Sequence, residues 1–472
     1  MADATVWLIL LPAAWSGLAF VLGPGRGAWL ALAGLAVQTV LALALAGRVA
    51  GDGVQIHAVG GWGAPLGIDL AVDGLSAAML LLTQFVALPV AVYAHAYFER
   101  SAPALRHFWP LFGFLLAGLN ALFVSADLFN LYVTLELVGL AAVGLVATGG
   151  GAGQLVAALR YLFATLLGSA AYLLGVALIY GVSGTVAFEG LHFSADAPDA
   201  LCFAGLLMLG GLMLKTALFP FHYWLPSAHG GAPAPVSALL SALVVKASFY
   251  LILRLWSGPF AELGAVLVWM PAALGAAAIF WGSWQAIRAS RLKRLIAYST
   301  VAQIGYLFLI FPLLTAEAAL AAGIMQVFAH GLAKAAMFAA AGVVIKATGD
   351  DTVAGLAGVA DRLPLTLFAF GLAGVTLMGL PPSAGFLAKW QLIHAALAGG
   401  HWLIVGVVLA GGLLAAIYVF RVLRQAFLLA PAGAGIKSVP HRLEWTAFAL
   451  AAASVLLGLR GVELVGLLGV RI

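Results

Sequence analysis

The chain has 472 residues, of which 64% are hydrophobic and only 8% charged, with a formal net charge of +5. A soluble domain carries about 25% charged residues, so this composition excludes a soluble enzyme or a nucleic-acid-binding module and indicates a helical polytopic membrane protein. One cysteine, Cys202, excludes an intrachain disulfide and a cysteine-ligated cluster.

The N-terminal MADATVWLILLPAAW has no basic leader before its apolar run and reads as a retained first span. Fourteen spans, each near the ~20 apolar residues that cross a bilayer, are expected. They fall at 5–23, 27–47, 75–96, 105–124, 129–148, 155–181, 201–219, 234–256, 264–287, 293–313, 317–346, 362–397 (interrupted), 402–427 and 443–468. After the second span, the alternation at Val54–His57 and Ile68–Val72 predicts two short strands in a surface hairpin. The Gly149–Gly153 run lacks the Lys-Ser/Thr of a phosphate loop and reads as a turn between spans.

The stretch Gly211–Leu255 stands apart. Two apolar segments meet there, each with one interior lysine, Lys215 and Lys246, and between them lie Pro220, Pro226, Pro233 and Pro235 with His222 and His229. A charge at mid-bilayer costs roughly 2.5–3.5 kcal/mol on insertion scales, which packing alone never requires. A helix broken by proline at that depth is tolerated only where protein or water covers the freed backbone. Buried lysines beside a broken helix therefore read as an ion pathway. A second interrupted helix is expected at Met378–Trp390, MGLPPSAGFLAKW. The two breaks fall in spans seven and twelve. Five spans separate them, so the second unit is inverted, and matching interruptions in inverted units point to midplane ion sites. The expected fold is an all-α membrane protein of about 14 transmembrane helices with two inverted five-helix repeats, each containing one broken helix. The expected division is 1–104, 105–257 (first repeat), 258–428 (second repeat) and 429–472 (last helix).

Glu136 is the only acid of the fifth span. At 1.5 Å per residue it lies about 10 Å below the outer end, Lys215 about 20 Å along the seventh span and Lys246 about 17 Å into the eighth, so all three can share one depth band. Gln326, His330 and Lys334 follow at i, i+4 and i+8, on one helical face, and read as a relay. Lys389 follows the Pro381-Pro382 break, and Tyr298, Ser299, Gln303 and Tyr306 line the tenth span with groups suited to holding water. Burial makes a lysine give up its proton more readily and a nearby carboxylate opposes this, so Glu136 beside Lys215 is expected to form a switch. No metal set, dinucleotide fingerprint or nucleophile elbow is present, and no cofactor is expected.

With the N-terminus outside, fourteen of the 22 Lys and Arg side chains fall on inside loops and span ends, among them Arg100, Arg160, Arg291, Lys293 and Arg294. Four (Arg48, Arg254, Arg460, Arg471) fall outside and four (Lys215, Lys246, Lys334, Lys389) within spans. The positive-inside rule then favours both termini outside, with Asp52, Asp69, Asp73, Asp196 and Asp199 in outer loops.

The Phe219–Tyr250 stretch resembles the signature of the antiporter-like subunits of respiratory complex I and of Mrp-type Na+/H+ antiporters. RLKRLIAYSTVAQIGY (Arg291–Tyr306), HGLAKAAMF (His330–Phe338) and GLPPSAGFLAKW (Gly379–Trp390) resemble three more motifs of that family, in the same order. The likeness covers roughly residues 65–425, and its style is that of the D-type Mrp members and the quinone-proximal complex I members. It implies a fourteen-helix fold with two inverted units, a functional glutamate matched by Glu136, lysines matched by Lys215, Lys246 and Lys389, and a His/Lys pair matched by His330 and Lys334. It also implies no redox cofactor in the chain itself. Two departures stand out: Ser227 follows WLP where the family usually has an acid, and Arg160 stands where it often has lysine. An arginine stays charged, which weighs against a carrier role there. After Arg442 one last span is expected, without the long lateral helix of the distal complex I subunit.

Together these features predict a proton-translocating, or Na+/H+ antiporting, subunit of a multisubunit complex such as an NADH-quinone oxidoreductase or an Mrp antiporter. It would sit multi-pass in a bacterial cytoplasmic membrane beside other membrane subunits, homologous ones included, with no nucleic acid involved. The proton-translocation residues are Glu136, Lys215, Lys246, His330, Lys334 and Lys389, supported by His222, His229, Tyr298, Ser299, Gln303 and Gln326. The rivals are a stand-alone transporter of a small solute and a scaffold subunit without transport.

Overall fold

A computed structural model describes residues 4–64, 66–99, 103–191, 193, 198–262, 266–429 and 435–469. Arg100, Asp196, Arg471 and both chain termini, used in the topology count, lie outside the described residues.

The chain is a multi-pass helical membrane protein. Its helices are α1 (Ala4–Asp52), α2 (Gly74–Tyr97), α3 (Pro103–Val124), α4 (Leu128–Ala147), α5 (Ala152–Ser183), α6 (Asp199–Thr216), α7 (Leu225–Gly231), α8 (Ala234–Leu239) and α9 (Val245–Trp256). There follow α10 (Val266–Arg288), α11 (Leu292–Phe308), α12 (Glu317–Thr348), α13 (Val359–Arg362), α14 (Pro364–Met378), α15 (Ala384–Ala398), α16 (Trp402–Ala426), α17 (His441–Leu456) and α18 (Gly461–Leu467). A helix is what an apolar chain must form in lipid, because no water is present to satisfy its backbone. Among the described residues, ten helical segments are long and apolar enough to cross a membrane, or up to twelve when two bent pairs each count as one span.

The first two expected spans form one continuous assignment, α1, but Gly23 (φ 77°, ψ 172°) followed by Pro24 folds it into a hairpin. A Cβ on Gly34 would lie 2.6 Å from the Trp15 ring, and one on Gly27 3.0 Å from Ala19. The predicted surface strands are present as β1 (Gln55–Ala58) and β2 (Asp69–Val72), antiparallel with Gln55 opposite Val72. The expected last span, in contrast, is bent by 75° between α17 and α18. The turn packs on the second helix break: a Cβ on Gly458 would lie 2.0 Å from the Pro382 carbonyl oxygen.

The α8–α9 segment and α12 form the enclosed centre, whereas α1 and α16 are the least buried of the membrane-crossing helices. Close packing rests on glycine at two crossings. A Cβ at Gly211 would lie 2.3 Å from the Gly168 carbonyl oxygen (α5–α6), and one at Gly305 2.3 Å from that of Gly275 (α10–α11). Removing the side chain lets backbones touch, which is how membrane helices gain dispersion energy where lipid offers no hydrophobic drive. At one face, Arg254 at the end of α9 donates to the carboxylate of Asp73, which also caps α2 by accepting from the Ser76 N–H at 2.9 Å. Burial works to raise the Asp73 carboxyl, but the Arg254 guanidinium holds it below its ordinary value.

The two breaks have one local design. α6 ends at Ala217 (φ 60°) and α14 at Gly379 (φ 81°), both left-handed. In each, the next N–H bonds back into the helix at 3.1 Å, Leu218 to Met213 O and Leu380 to Val375 O, as in a Schellman ending. A cis peptide follows in both, at Phe219–Pro220 and Pro381–Pro382. Gly379 is needed twice over, because a Cβ there would also lie 2.6 Å from Cδ of Lys389. Left-handed backbone costs a non-glycine residue roughly 1–2 kcal/mol, and overpacking a further ~1–3 kcal/mol. We therefore expect Gly379→Ala to lower the melting temperature of the detergent-solubilised protein, and Ala217→Gly to leave it unchanged or raise it. Equal melting of wild type and Gly379→Ala would refute this account of the break.

Candidate functional site

Four lysines converge on the interior of the bundle, three of them (Lys215, Lys246 and Lys334) near the middle of their membrane-crossing segments. Lys215 is in the last turn of α6, immediately before the first break. Lys246 is in the first turn of α9, midway along the Ala234–Trp256 span, Lys334 is midway along α12, and Lys389 lies in the second turn of α15, just past the second break. Lys246 and Lys334 have no exposed surface, and Lys215 and Lys389 almost none.

Each ammonium is held by neutral oxygens. Lys215 Nζ donates to Thr165 Oγ1 of α5 at 2.7 Å. It has room because residue 139 of α4 is glycine: a Cβ there would lie 2.6 Å from Thr165 Oγ1 and 3.6 Å from the ammonium. Glu136 lies one turn earlier on α4. Its carboxylate acts on Lys215 electrostatically but does not touch it, and its buried Oε2 has no hydrogen-bond partner. Glu136 thus lies within electrostatic reach of Lys215, while Thr165 holds the ammonium. A gap of about 10 Å³ bordered by Gly139, Tyr161, Thr165, Lys215 and Ser248 adjoins the pair; that is about the least space a water needs.

Beyond it, Thr216 donates to Ser248 Oγ at 2.8 Å, linking α6 to α9. Lys246 donates to the backbone carbonyl of Ser241. That carbonyl lies in a π-helical turn, Leu240–Val244, between α8 and α9. A π turn is rare and clusters at functional sites, and here it presents the lysine's acceptor. The Ser241 hydroxyl pairs with Thr300 Oγ1 of α11 at 2.9 Å. On α12, Lys334 donates to Ser299 Oγ and, at 3.1 Å, to the Ile296 carbonyl. His330, one turn earlier, is fully buried with no partner on either ring nitrogen. Gln326 donates to Gln303 Oε1 at 3.0 Å, and Gln303 to the Leu377 carbonyl at 3.2 Å. That same carbonyl accepts from Lys389 at 2.7 Å, with Met378 O at 3.1 Å. These are C-terminal carbonyls of α14, the end of a helix that attracts cations. The Tyr306 ring lies 4.4 Å below the Lys389 ammonium.

His229 is fully buried between the Trp224 and Phe338 rings, with both nitrogens unpartnered, and interacts electrostatically with Lys246 and Lys334. Two predicted supporting residues stand apart from the row. His222 is only partly buried, accepts from Trp281 Nε1 at 3.0 Å and stacks on Phe219. Tyr298 lies under the Arg294 guanidinium at a cavity mouth. Sequence reasoning missed Thr165, Ser248 and the π turn. It also missed the burial of Lys293, which it counted among the inside loops and span ends and which is enclosed in the first turn of α11. Its spacing to Ala297, Thr300 and Ile304 places it on the inward stripe of that helix.

Cavities open at opposite ends of α4, about 30 Å apart by its rise. One, of about 680 Å³, is bordered by Asp69, Asp127 and Asn130. Burial raises the Asp127 carboxyl above its ordinary value, and the charge of Asp69 adds to the effect, against the Asn130 N–H. The other, of about 640 Å³, is bordered by Gln154, Arg160, Arg291, Arg294 and Asp351.

The chain is similar to known proteins over most of its length. The family described as "NADH:quinone oxidoreductase/Mrp antiporter, TM" matches residues 125–415. NADH-quinone oxidoreductase subunit N of Desulforudis audaxviator is 38% identical over 414 residues, 85% of this chain and 81% of that protein. The D-type Na(+)/H(+) antiporter subunit of Alkalihalophilus pseudofirmus is 30% identical over 401 residues, covering 84% and 81%. Among solved structures, a chain of the Mrp complex from Dietzia sp. superposes with a TM-score of 0.92 at 28% identity, covering 99% of this chain and 97% of that one. On the extent of these matches, the chain belongs to the NADH:quinone oxidoreductase/Mrp antiporter transmembrane family.

Proposed function

We propose that the chain is a proton-translocating subunit of a multisubunit membrane complex of the complex I/Mrp type. The observation that carries this is the state of the four enclosed lysines. All are held by hydroxyl or carbonyl oxygens, and among the described residues none forms an ion pair. A structural cation in an apolar interior is normally paired, because an unpaired buried charge is strongly destabilising. A carrier must remain free to lose its charge.

In this reading a proton leaves the Lys215 ammonium, which becomes an amine, and passes by the Thr216–Ser248 hydroxyls to the amine form of Lys246. His330 relays it by accepting on one ring nitrogen and releasing from the other, and Lys334 and then Lys389 accept it in turn. Glu136 reloads Lys215, since its charge favours the ammonium. Na+ is the ion that an antiporting member would exchange. The matching breaks support the division into two inverted units, 105–257 and 258–428, within a fourteen-helix scheme. The arginine-rich cavity would face the cytoplasm of a bacterial inner membrane and the aspartate-lined one the outside, which puts both termini outside. The apolar faces of α5 and α16, with Leu167 and Leu413 well exposed, would meet lipid and homologous neighbouring subunits.

Lys215→Arg keeps the charge but never releases a proton, because arginine's pKa stays above about 12. We expect Lys215→Arg and Lys215→Ala each to cut proton uptake by vesicles holding the assembled complex by on the order of 10²-fold. Glu136→Gln should impair it less severely. Near-normal uptake with Lys215→Arg would mean that the residue only holds charge in place, as a scaffold subunit would allow. Topology has its own test: a reporter fused after Ile472 should be active outside the cytoplasm, and activity only inside would reverse the orientation. In mild detergent the native mass should exceed that of the chain alone; a monomer retaining full transport would favour a stand-alone transporter.

A further inference from the structure

The row of central lysines has no evident way in from the arginine-rich cavity, and Lys293 supplies one. Its side chain is 6% exposed although Arg291 and Arg294 on either side face the cavity. Its ammonium donates to the carbonyl of Ala232, in the link between α7 and α8. On the cavity side it interacts electrostatically with Asp351, which borders the cavity and pairs with Arg291 at 3.7 Å. The Asp351 segment is clamped to the start of α11 by Leu292 N–H to Asp351 O at 2.6 Å and Val353 N–H to Ser290 O at 2.7 Å. On the interior side Lys293 interacts with His229, which in turn interacts with Lys246 and Lys334. His229 is fully buried and has two unpartnered ring nitrogens, as a group that both receives and passes on a proton requires.

We infer that Lys293 is the entry residue of the proton path, taking protons from the arginine-rich cavity and delivering them through His229 to the central lysines. The transfer balances simply. The Lys293 ammonium gives a proton to one nitrogen of neutral His229, leaving an amine. The imidazolium releases its other proton to the amine of Lys334 or Lys246. Lys293 then regains a proton from solvent in the cavity. Arg160, Arg291 and Arg294 cannot do this, because they do not release protons; they keep the entrance positive, so that a proton is not held at the mouth. The assignment rests on the reading of the buried lysines as carriers, and its test is built to fail separately from that reading.

The test uses the assembled complex in vesicles, with Cys202→Ala as background. Lys293→Arg should lower proton uptake at least tenfold, in the same direction as that expected for Lys215→Arg, with assembly unchanged on native gels. Near-normal uptake with Lys293→Arg, while Lys215→Arg is inactive, would overturn the entry role and leave the carrier reading standing. Lys293→Cys gives a second arm. Aminoethyl methanethiosulfonate installs a titratable amine and should restore much of the lost uptake. The trimethylammonium reagent installs a fixed charge of similar reach and should not. Equal rescue by both reagents, or a thiol that fails to react from the arginine-rich face, would overturn the proposal.

Discussion

The structure depends on a single energetic problem, that of keeping several ammonium groups inside an apolar helix bundle with, among the described residues, no direct ion pair to any of them. Each bare charge at that depth is strongly unfavourable, and the fold offsets this with oxygen dipoles. A hydroxyl serves Lys215, a π-turn carbonyl Lys246, a serine and a backbone carbonyl Lys334, and helix-end carbonyls Lys389. Irregular backbone serves that solution at two of the lysines. A regular helix has already committed its carbonyls to itself, and the π turn at Leu240–Val244 and the break at Gly379 supply the acceptors of Lys246 and Lys389. The glycines at the α5–α6 and α10–α11 crossings then draw the flanking helices close enough to keep lipid out.

The absence of direct ion pairs in the row also bears on speed. A Glu136–Lys215 pair in contact would hold its proton tightly. The observed arrangement places the ammonium on the neutral Thr165 hydroxyl and leaves one Glu136 carboxylate oxygen unpartnered among the described residues. The gap beside it, about 10 Å³, is close to the least volume that holds one water.

Much of this was legible in the sequence, for a physical reason. A lone lysine in a long apolar run has no simple packing explanation, so Lys215, Lys246, Lys334 and Lys389 announced themselves, and the Pro220 and Pro381-Pro382 breaks did likewise. What escaped were features that depend on neighbours distant in the chain. Thr165 is an ordinary hydroxyl until α6 brings Lys215 against it 50 residues later. Lys293 sits in an RLKR run that reads as loop charge, and only the packing of the Asp351 segment and the α7–α8 link encloses it. The π turn has no marker in LSALV, since one extra residue per turn leaves the apolar pattern intact. His222 and Tyr298 were drawn toward the site by their chemistry, and the folded chain directs them to other partners.

The mid-span position of three of the lysines has an electrical consequence. Lys215, Lys246 and Lys334 each lie near the middle of their membrane-crossing segment, so on the proposed path a charge passing among them travels largely parallel to the membrane plane. Moving a charge across the full membrane is worth about 2.3 kcal/mol per 100 mV, but displacement along the plane does no work against that voltage. On the proposed path the electrical load falls on the vertical steps between these lysines and the two sides of the membrane. Voltage would slow or reverse transport at those steps, while the long lateral run stays indifferent to how highly the membrane is charged.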